Sequence, residues 1–165
     1  MSSGANPPSP DGYDSWLIFN EAECTRLSAE LLGRTANSDS HHIFPHLMLA
    51  ALAFELYLKC LLCLRGKSIP RKAGHHTKEL FDELVQTDRD WIYPGYVSGT
   101  DTVLEALDYL FVNTRYRYEM KAPGAKKRPP LNTSKLGQLI HAARKILVRE
   151  NPDWPERVAR GHPKN

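Results

Sequence analysis

The strongest constraint on the fold is the run 47–66, LMLAALAFELYLKCLLCLRG, in which Glu55 and Lys59 are the only charges before Arg65. Apolar residues occupy every side of the helical wheel, a pattern typical of a helix that neighbours surround on all sides. Glu55 precedes Lys59 by four residues, which is the favourable order for an ion pair on one helical face. We therefore expect the innermost helix of a bundle, with an internal ion pair.

The same run is long enough to cross a membrane. Two charges near its centre would oppose insertion by about 2.5–3.5 kcal/mol each, and the rest of the chain offers amphipathic helices to pack against it. We therefore expect the core of a soluble domain without a membrane partner.

Composition is that of an ordinary globular domain, with 165 residues, 41% hydrophobic and 25% charged, which indicates one domain. The formal net charge of +3 permits a polyanionic partner without requiring one. Cys24, Cys60 and Cys63 form an odd set in apolar helical contexts, with no signal peptide before them. This usage predicts free thiols and a cytoplasmic location.

Helical periodicity and capping residues predict an all-α fold. We predict a flexible arm at residues 1–13, the helical domain at 14–150 and a loose tail at 151–165. Trp154 of this tail could pack back onto the domain. Residues 88–99 and 121–131 read as connections. The predicted helices begin at Asp14 or Ser15, near Pro45, at Thr77, at Thr100 or Asp101 and at Asn132, Thr133 or Ser134; Gly33 and Gly66 are the predicted stops of the first two.

Metal binding is disfavoured. Cys60 and Cys63 precede His75 and His76, but zinc fingers need histidines three to five residues apart, and both thiols lie in the core helix. The histidines at 42 and 46 could share a helical face, yet no third ligand accompanies them. We predict no metal and no cofactor.

The run RYRYE at 115–119 combines arginine and tyrosine. Tyr118 could stack a base while Arg115 and Arg117 hold phosphates. Alternatively, these side chains close the bundle, and Glu119 joins Glu55 and Lys59 in a buried polar network.

Two further groups carry candidate chemistry. Lys126, Lys127 and Arg128 form a basic cluster beside Pro and Gly residues, typical of a loop that binds nucleic acid. His75 and His76 precede a predicted helix N-terminus, where an imidazole serves either as an acid/base group or as a loop anchor.

Glu55-x3-Lys59, Gly74-His75 followed by Leu80-Phe81, and the RYRYE run together resemble the HEPN domain (higher eukaryote and prokaryote nucleotide-binding). The resemblance covers roughly residues 14–150. It implies a homodimeric, HEPN-like up-and-down bundle of four to five helices, found in prokaryotic toxin, antiphage defence and RNA-processing systems. Many members are metal-independent ribonucleases, in which the histidine of an Arg-x4–6-His motif acts on the ribose 2′-OH and its arginine on the phosphate, across the dimer.

No histidine follows Arg115 or Arg117 at the required spacing. The leading hypothesis is therefore a homodimer without the usual catalytic motif, which binds RNA or a nucleotide. Its binding residues would be Arg115, Arg117, Tyr118, Lys126, Lys127 and Arg128. One alternative is a metal-independent endoribonuclease that uses His75 or His76 as the base, and another is an antitoxin-like protein-interaction module.

Overall fold

The computed structural model describes residues 10–36, 43–70, 76–97, 102–115 and 132–161. Within these ranges the secondary structure is helical, which confirms the all-α class. The helices are α1 (Ser15–Ala36), α2 (Ile43–Leu64), α3 (Thr77–Glu83), α4 (Gln86–Ile92), α5 (Thr102–Arg115), α6 (Thr133–Glu150) and α7 (Trp154–Arg160).

Helix α2 lies at the centre of the bundle and packs against α1, α3, α5 and α6. Phe54, Tyr57, Leu58 and Leu61 have no solvent exposure. By length and hydropathy α2 could cross a membrane, but 67% of its most apolar window is buried inside this fold. The prediction of an innermost helix is confirmed.

The ion pair within α2 also forms as predicted. Lys59 Nζ lies 2.6 Å from Glu55 Oε1, and the two side chains are 29% and 3% exposed. The lysine thus reaches the surface while its ammonium group satisfies a carboxylate that is almost fully buried. Glu119, the third predicted member of this network, lies outside the described residues.

Local capping fixes three of the predicted boundaries. The Asp14 carboxylate accepts a hydrogen bond of 2.8 Å from the amide two residues later, at the start of α1. Asn132 accepts one of 2.9 Å from the amide three residues later, at the start of α6. Gly66, with a φ of +66°, follows the end of α2 in a left-handed conformation that a glycine adopts without strain.

The connection predicted at 88–99 is partly helical, because α4 occupies 86–92. Leu84 and Val85 are extended, with ψ of 156° and 149°, and they separate α3 from α4. Two buried residues anchor α4, namely Asp88, which pairs with Arg65, and the apolar Ile92. These contacts with distant elements leave no periodic signal in the local sequence.

Residues 154–160 of the predicted tail form α7 rather than a loose segment. Trp154 is 4% exposed, and its ring centroid lies 5.8 Å from that of Trp16 and 5.0 Å from that of Phe19. Arg157 lies over the Trp16 ring, with its guanidinium carbon 4.0 Å from the ring centroid. This aromatic cluster attaches α7 to α1.

Arg65, just after α2, links three elements. Its Nε donates to Asp88 at 2.8 Å and its Nη2 to Glu150 at 2.7 Å. The guanidinium lowers the pKa of Glu150 below its ordinary value by hydrogen bonding. The ends of α2, α4 and α6 are therefore joined at one cation.

We predict that Arg65→Gln lowers the free energy of unfolding by about 2 kcal/mol, because it leaves the buried Asp88 carboxylate without its cation. The matched control is Arg160→Gln, which removes the same charge from a pair with Glu156 whose side chains are both 68% exposed. This change should alter stability by less than about 0.5 kcal/mol in urea unfolding. Equal effects of the two substitutions would contradict a linking role for Arg65.

Candidate ligand-binding cleft

A cleft of about 480 Å³ opens between α1, α2 and α6, a volume typical of sites for small ligands. Its lining combines an apolar wall with charged and titratable groups. The apolar wall consists of Leu47, Ala50, Leu136 and Ile140, and the polar groups are Arg26, Glu30, His46, His141 and Arg144.

Glu23 organises the charges beside this cleft. Its side chain is buried, and Oε1 accepts hydrogen bonds from Arg144 Nε at 2.7 Å and from the Tyr57 hydroxyl. Oε2 accepts from Arg26 Nη2 at 3.0 Å and from Arg144 Nη2 at 3.2 Å. One carboxylate thus holds two guanidinium groups in fixed positions, which pre-organises both donors.

Burial raises the pKa of Glu23, but the hydrogen bonds from Arg144, Arg26 and Tyr57 outweigh burial and hold that pKa below its ordinary value. Burial and the neighbouring carboxylate raise the pKa of Tyr57. Glu23 is therefore ionised at neutral pH while Tyr57 remains a hydrogen-bond donor. The positions of the two arginines do not depend on pH in the physiological range.

His46 has a defined orientation at the cleft. Its Nδ1 lies 2.7 Å from the carbonyl oxygen of Ala29. Because a carbonyl oxygen only accepts, Nδ1 carries the proton, and in the neutral imidazole Nε2 has the lone pair. Within the described ranges Nε2 has no hydrogen-bond partner, so it is available as a base or acceptor.

Gly33 makes room for this imidazole. A Cβ at position 33 would lie 2.9 Å from His46 Cε1 and 3.0 Å from Nδ1. The prediction that Gly33 ends α1 is wrong, since the helix continues to Ala36. The missing side chain at position 33 instead leaves space for the His46 ring.

The charges lining the cleft are balanced. The two positive charges of Arg26 and Arg144 are matched by the two negative charges of Glu23 and Glu30. Nη1 of Arg26 donates a hydrogen bond to the Glu30 carboxylate. The Glu30 side chain is 50% exposed, however, so it can turn into solvent. Nη1 of Arg144 has no partner among the described residues. An incoming anion would therefore bind Arg144 and compete with Glu30 for Arg26.

Helix α6 adds a positive field outside the cleft. Apart from Arg144, which lines the cleft, its charged side chains are three cations, Lys135, Lys145 and Arg149, and one acid, Glu150. Arg65 pairs with that acid and with Asp88. The helix therefore favours an anionic ligand.

Two of the three cysteines belong to the core helix and contact the backbone. Cys60 and Cys63 are buried, and each Sγ lies 3.2 Å from a backbone carbonyl oxygen, of Ser15 and Tyr13 respectively. Burial raises the pKa of Cys60, so its thiol stays protonated. Among the described residues no group of three His, Cys, Asp or Glu side chains could hold a metal ion.

The predicted site residues lie elsewhere or outside the described ranges. His76 is the N-cap of α3, where Asp108 of α5 accepts a hydrogen bond of 2.5 Å from the Thr77 amide. Arg115 is the last residue of that same α5, about 10 Å beyond Asp108 along the helix axis, and its side chain is not described. His76 is not one of the described residues that line the cleft. The residues outside the described ranges are His75, Arg117, Tyr118, Glu119, Lys126, Lys127 and Arg128.

Sequence reasoning missed the cleft residues. No pattern in the sequence indicates a role for Arg144, and His46 enters only as a candidate metal ligand beside the histidine at position 42. Glu23, lying among apolar positions of a helix, was the available signal, because a buried acid requires a cation. Its main partner is 121 residues away.

No protein-family model matches the chain, and neither a curated protein nor a solved structure shows significant similarity to it.

We predict that Gly33→Ala leaves the free energy of unfolding nearly unchanged but displaces His46. The new methyl adds about 0.5–1 kcal/mol of helix propensity, and the displaced imidazole loses a hydrogen bond of similar magnitude. The control is Gly137→Ala, also within a helix and at the cleft, where a Cβ has no atom within 4 Å. That variant should gain about 0.5–1 kcal/mol and leave the His46 imidazole NMR shifts unchanged. Identical His46 shifts in both variants would contradict the contact.

Proposed function

We propose that this protein is a helical domain that binds RNA or a nucleotide in the cleft between α1, α2 and α6. The observation that carries the proposal is the pair of guanidinium groups that Glu23 fixes at a cleft with apolar residues in its lining. A nucleotide presents the matching chemistry, because its phosphate accepts from guanidinium donors and its planar base covers apolar surface.

The buried Glu55–Lys59 pair within an all-helical bundle also supports a HEPN-like assignment, and with it a role in a prokaryotic toxin, defence or RNA-processing system. The predicted basic residues extend this proposal. Lys126, Lys127 and Arg128 precede Thr133 at the cleft by five to seven residues, a span of at most about 25 Å. A strand of RNA in the cleft would lie within reach of these side chains, which would bind further phosphates.

The test measures binding of a labelled single-stranded RNA decamer by anisotropy and of AMP by calorimetry, at low salt. Arg144→Gln should weaken binding of both by about tenfold or more, because it removes a charge-assisted hydrogen bond. Glu30→Gln should tighten binding of both, since it frees Arg26 from its competing carboxylate.

The matched control is Arg149→Gln, which removes the same charge from α6 on the side that faces Trp91 of α4. It should leave AMP binding unchanged and lower only the salt dependence of RNA binding. Absence of RNA and AMP binding at low salt would refute the proposal and favour the antitoxin-like protein-interaction module.

A second candidate function is a metal-independent endoribonuclease. The orientation of His46 favours it, because the bond to Ala29 leaves Nε2 as a base at the same cleft as Arg26 and Arg144. Removal of the 2′-OH proton by such a base, with a cation on the phosphate, requires no metal.

Incubation of RNA with EDTA tests this alternative. If the protein only binds, RNA remains intact with the parent chain. If it cleaves, activity persists in EDTA, and His46→Ala abolishes it when His46 is the base. Loss of activity only in a His75→Ala/His76→Ala variant would instead assign the base to the predicted loop histidines.

A further inference from the structure

Two imidazoles line the cleft, those of His46 and His141, and imidazole is the side chain that gains or loses a proton near neutral pH. His141 is exposed on α6, where water and salt screen its ring from charges in the cleft. His46 is half-buried, and its Nδ1 donates to the carbonyl oxygen of Ala29 at 2.7 Å. A negative charge in the cleft would therefore act mainly on His46.

The hydrogen bond to Ala29 is compatible with both charge states of His46. An imidazolium has a proton on each nitrogen, so Nδ1 continues to donate to the carbonyl oxygen when Nε2 gains a proton. The ring also keeps its place, because Gly33 leaves space for it. Nε2 can therefore change from an acceptor to a cationic donor without a movement of the helices.

The charges around His46 determine which anion the cleft balances. In the described ranges, the charged and titratable groups that share the cleft with His46, or lie directly behind its arginines, are Glu23, Arg26, Glu30, Tyr57, His141 and Arg144. When a ligand takes the place of Glu30, the two guanidinium groups face one remaining acid, Glu23. Tyr57 adds no charge, because burial and the neighbouring carboxylate raise its pKa. The surplus is one positive charge, which a monoanion balances and a dianion exceeds.

Three donors at the cleft come from three different helices. They are Nη1 of Arg26 on α1, Nε2 of protonated His46 on α2 and Nη1 of Arg144 on α6. A terminal phosphate has three oxygens that accept hydrogen bonds strongly, whereas an internal phosphodiester has only its two non-bridging oxygens and a single charge. The donor set therefore matches a terminal phosphate.

We propose that the cleft binds the terminal phosphate of a nucleotide or of an RNA end, together with one proton that His46 takes up. The inference rests on the proposed function and names the phosphate that the cleft holds. A terminal phosphate is a dianion above its second pKa of about 6, and the imidazolium supplies the positive charge that the arginines lack. With an internal phosphodiester in the cleft, His46 stays neutral.

Calorimetry of the full chain with two adenosine ligands of different charge tests the proposal. AMP has a terminal phosphate, and adenosine 5′-methylphosphate has the same base and ribose with one negative charge fewer. Titrations in two buffers of different ionisation enthalpy give the number of protons taken up. At about pH 7.5 we expect AMP to bind with uptake of about half a proton or more, so its affinity falls by up to about tenfold per pH unit as pH rises. The methyl ester should show neither effect.

Two substitutions identify the group that takes up the proton. His46→Gln should abolish the uptake and reduce AMP affinity to near that of the methyl ester, whereas His141→Gln should retain the uptake. NMR of the parent chain gives a second readout that requires no variant, since the His46 imidazole should be protonated in the AMP complex and neutral in the methyl ester complex. Uptake that is lost in His141→Gln instead would overturn the assignment to His46.

Single-stranded RNA decamers with and without a 5′-phosphate distinguish the source of the phosphate. Proton uptake with the phosphorylated decamer assigns an RNA end, and uptake with AMP alone assigns a free nucleotide. Binding of AMP and its methyl ester without proton uptake, or with equal uptake, overturns this inference and leaves the proposed function intact. Absence of binding by all four ligands at low salt refutes both.

Discussion

Burial of α2 on all sides is the constraint on which the rest of the structure depends. A helix with apolar residues around its whole circumference is stable in water only if each neighbour contributes an apolar face. Each fully buried Leu or Phe contributes about 1.5–3 kcal/mol, so together these contacts outweigh any single polar interaction in the bundle. The surrounding helices are amphipathic for this reason, and their polar faces remain available for binding.

Buried charges are the second organising feature. Glu23, Glu55 and Asp88 are 3%, 2% and 5% exposed, and each has a cation as its partner. Two of those cations, Arg65 and Arg144, come from elements far away in the sequence. Breaking such a pair leaves an uncompensated charge in a low dielectric, so these interactions fix how the helices are arranged as well as how stably they pack.

The cleft follows from incomplete closure of α6 on α1 and α2. Two glycines contribute in different ways, because Gly33 lets the His46 imidazole lie against α1, while Gly137 leaves open space in the cleft wall. The Glu23 carboxylate then positions both arginines before any ligand arrives. Such pre-organisation lowers the entropy that binding of a ligand would cost.

The sequence by itself determined the features that depend on residues close together in the chain. The buried run of α2, the Glu55–Lys59 pair and the caps at Asp14 and Asn132 all involve partners within a few residues, so spacing and side-chain chemistry suffice to predict them. The resemblance to HEPN domains also led to the prediction of binding residues within 115–128, and most of that range lies outside the described residues.

Only the tertiary structure decided the cleft, α4 and α7. Glu23 accepts hydrogen bonds from Tyr57, 34 residues away in the sequence, and from Arg144, 121 residues away. Trp154 packs against aromatic side chains of the first helix. Contacts at such separations leave no periodic pattern in the sequence, because each residue taken alone is compatible with a solvated helix face. Their energy arises only when packing around α2 brings the partners together and removes water from them.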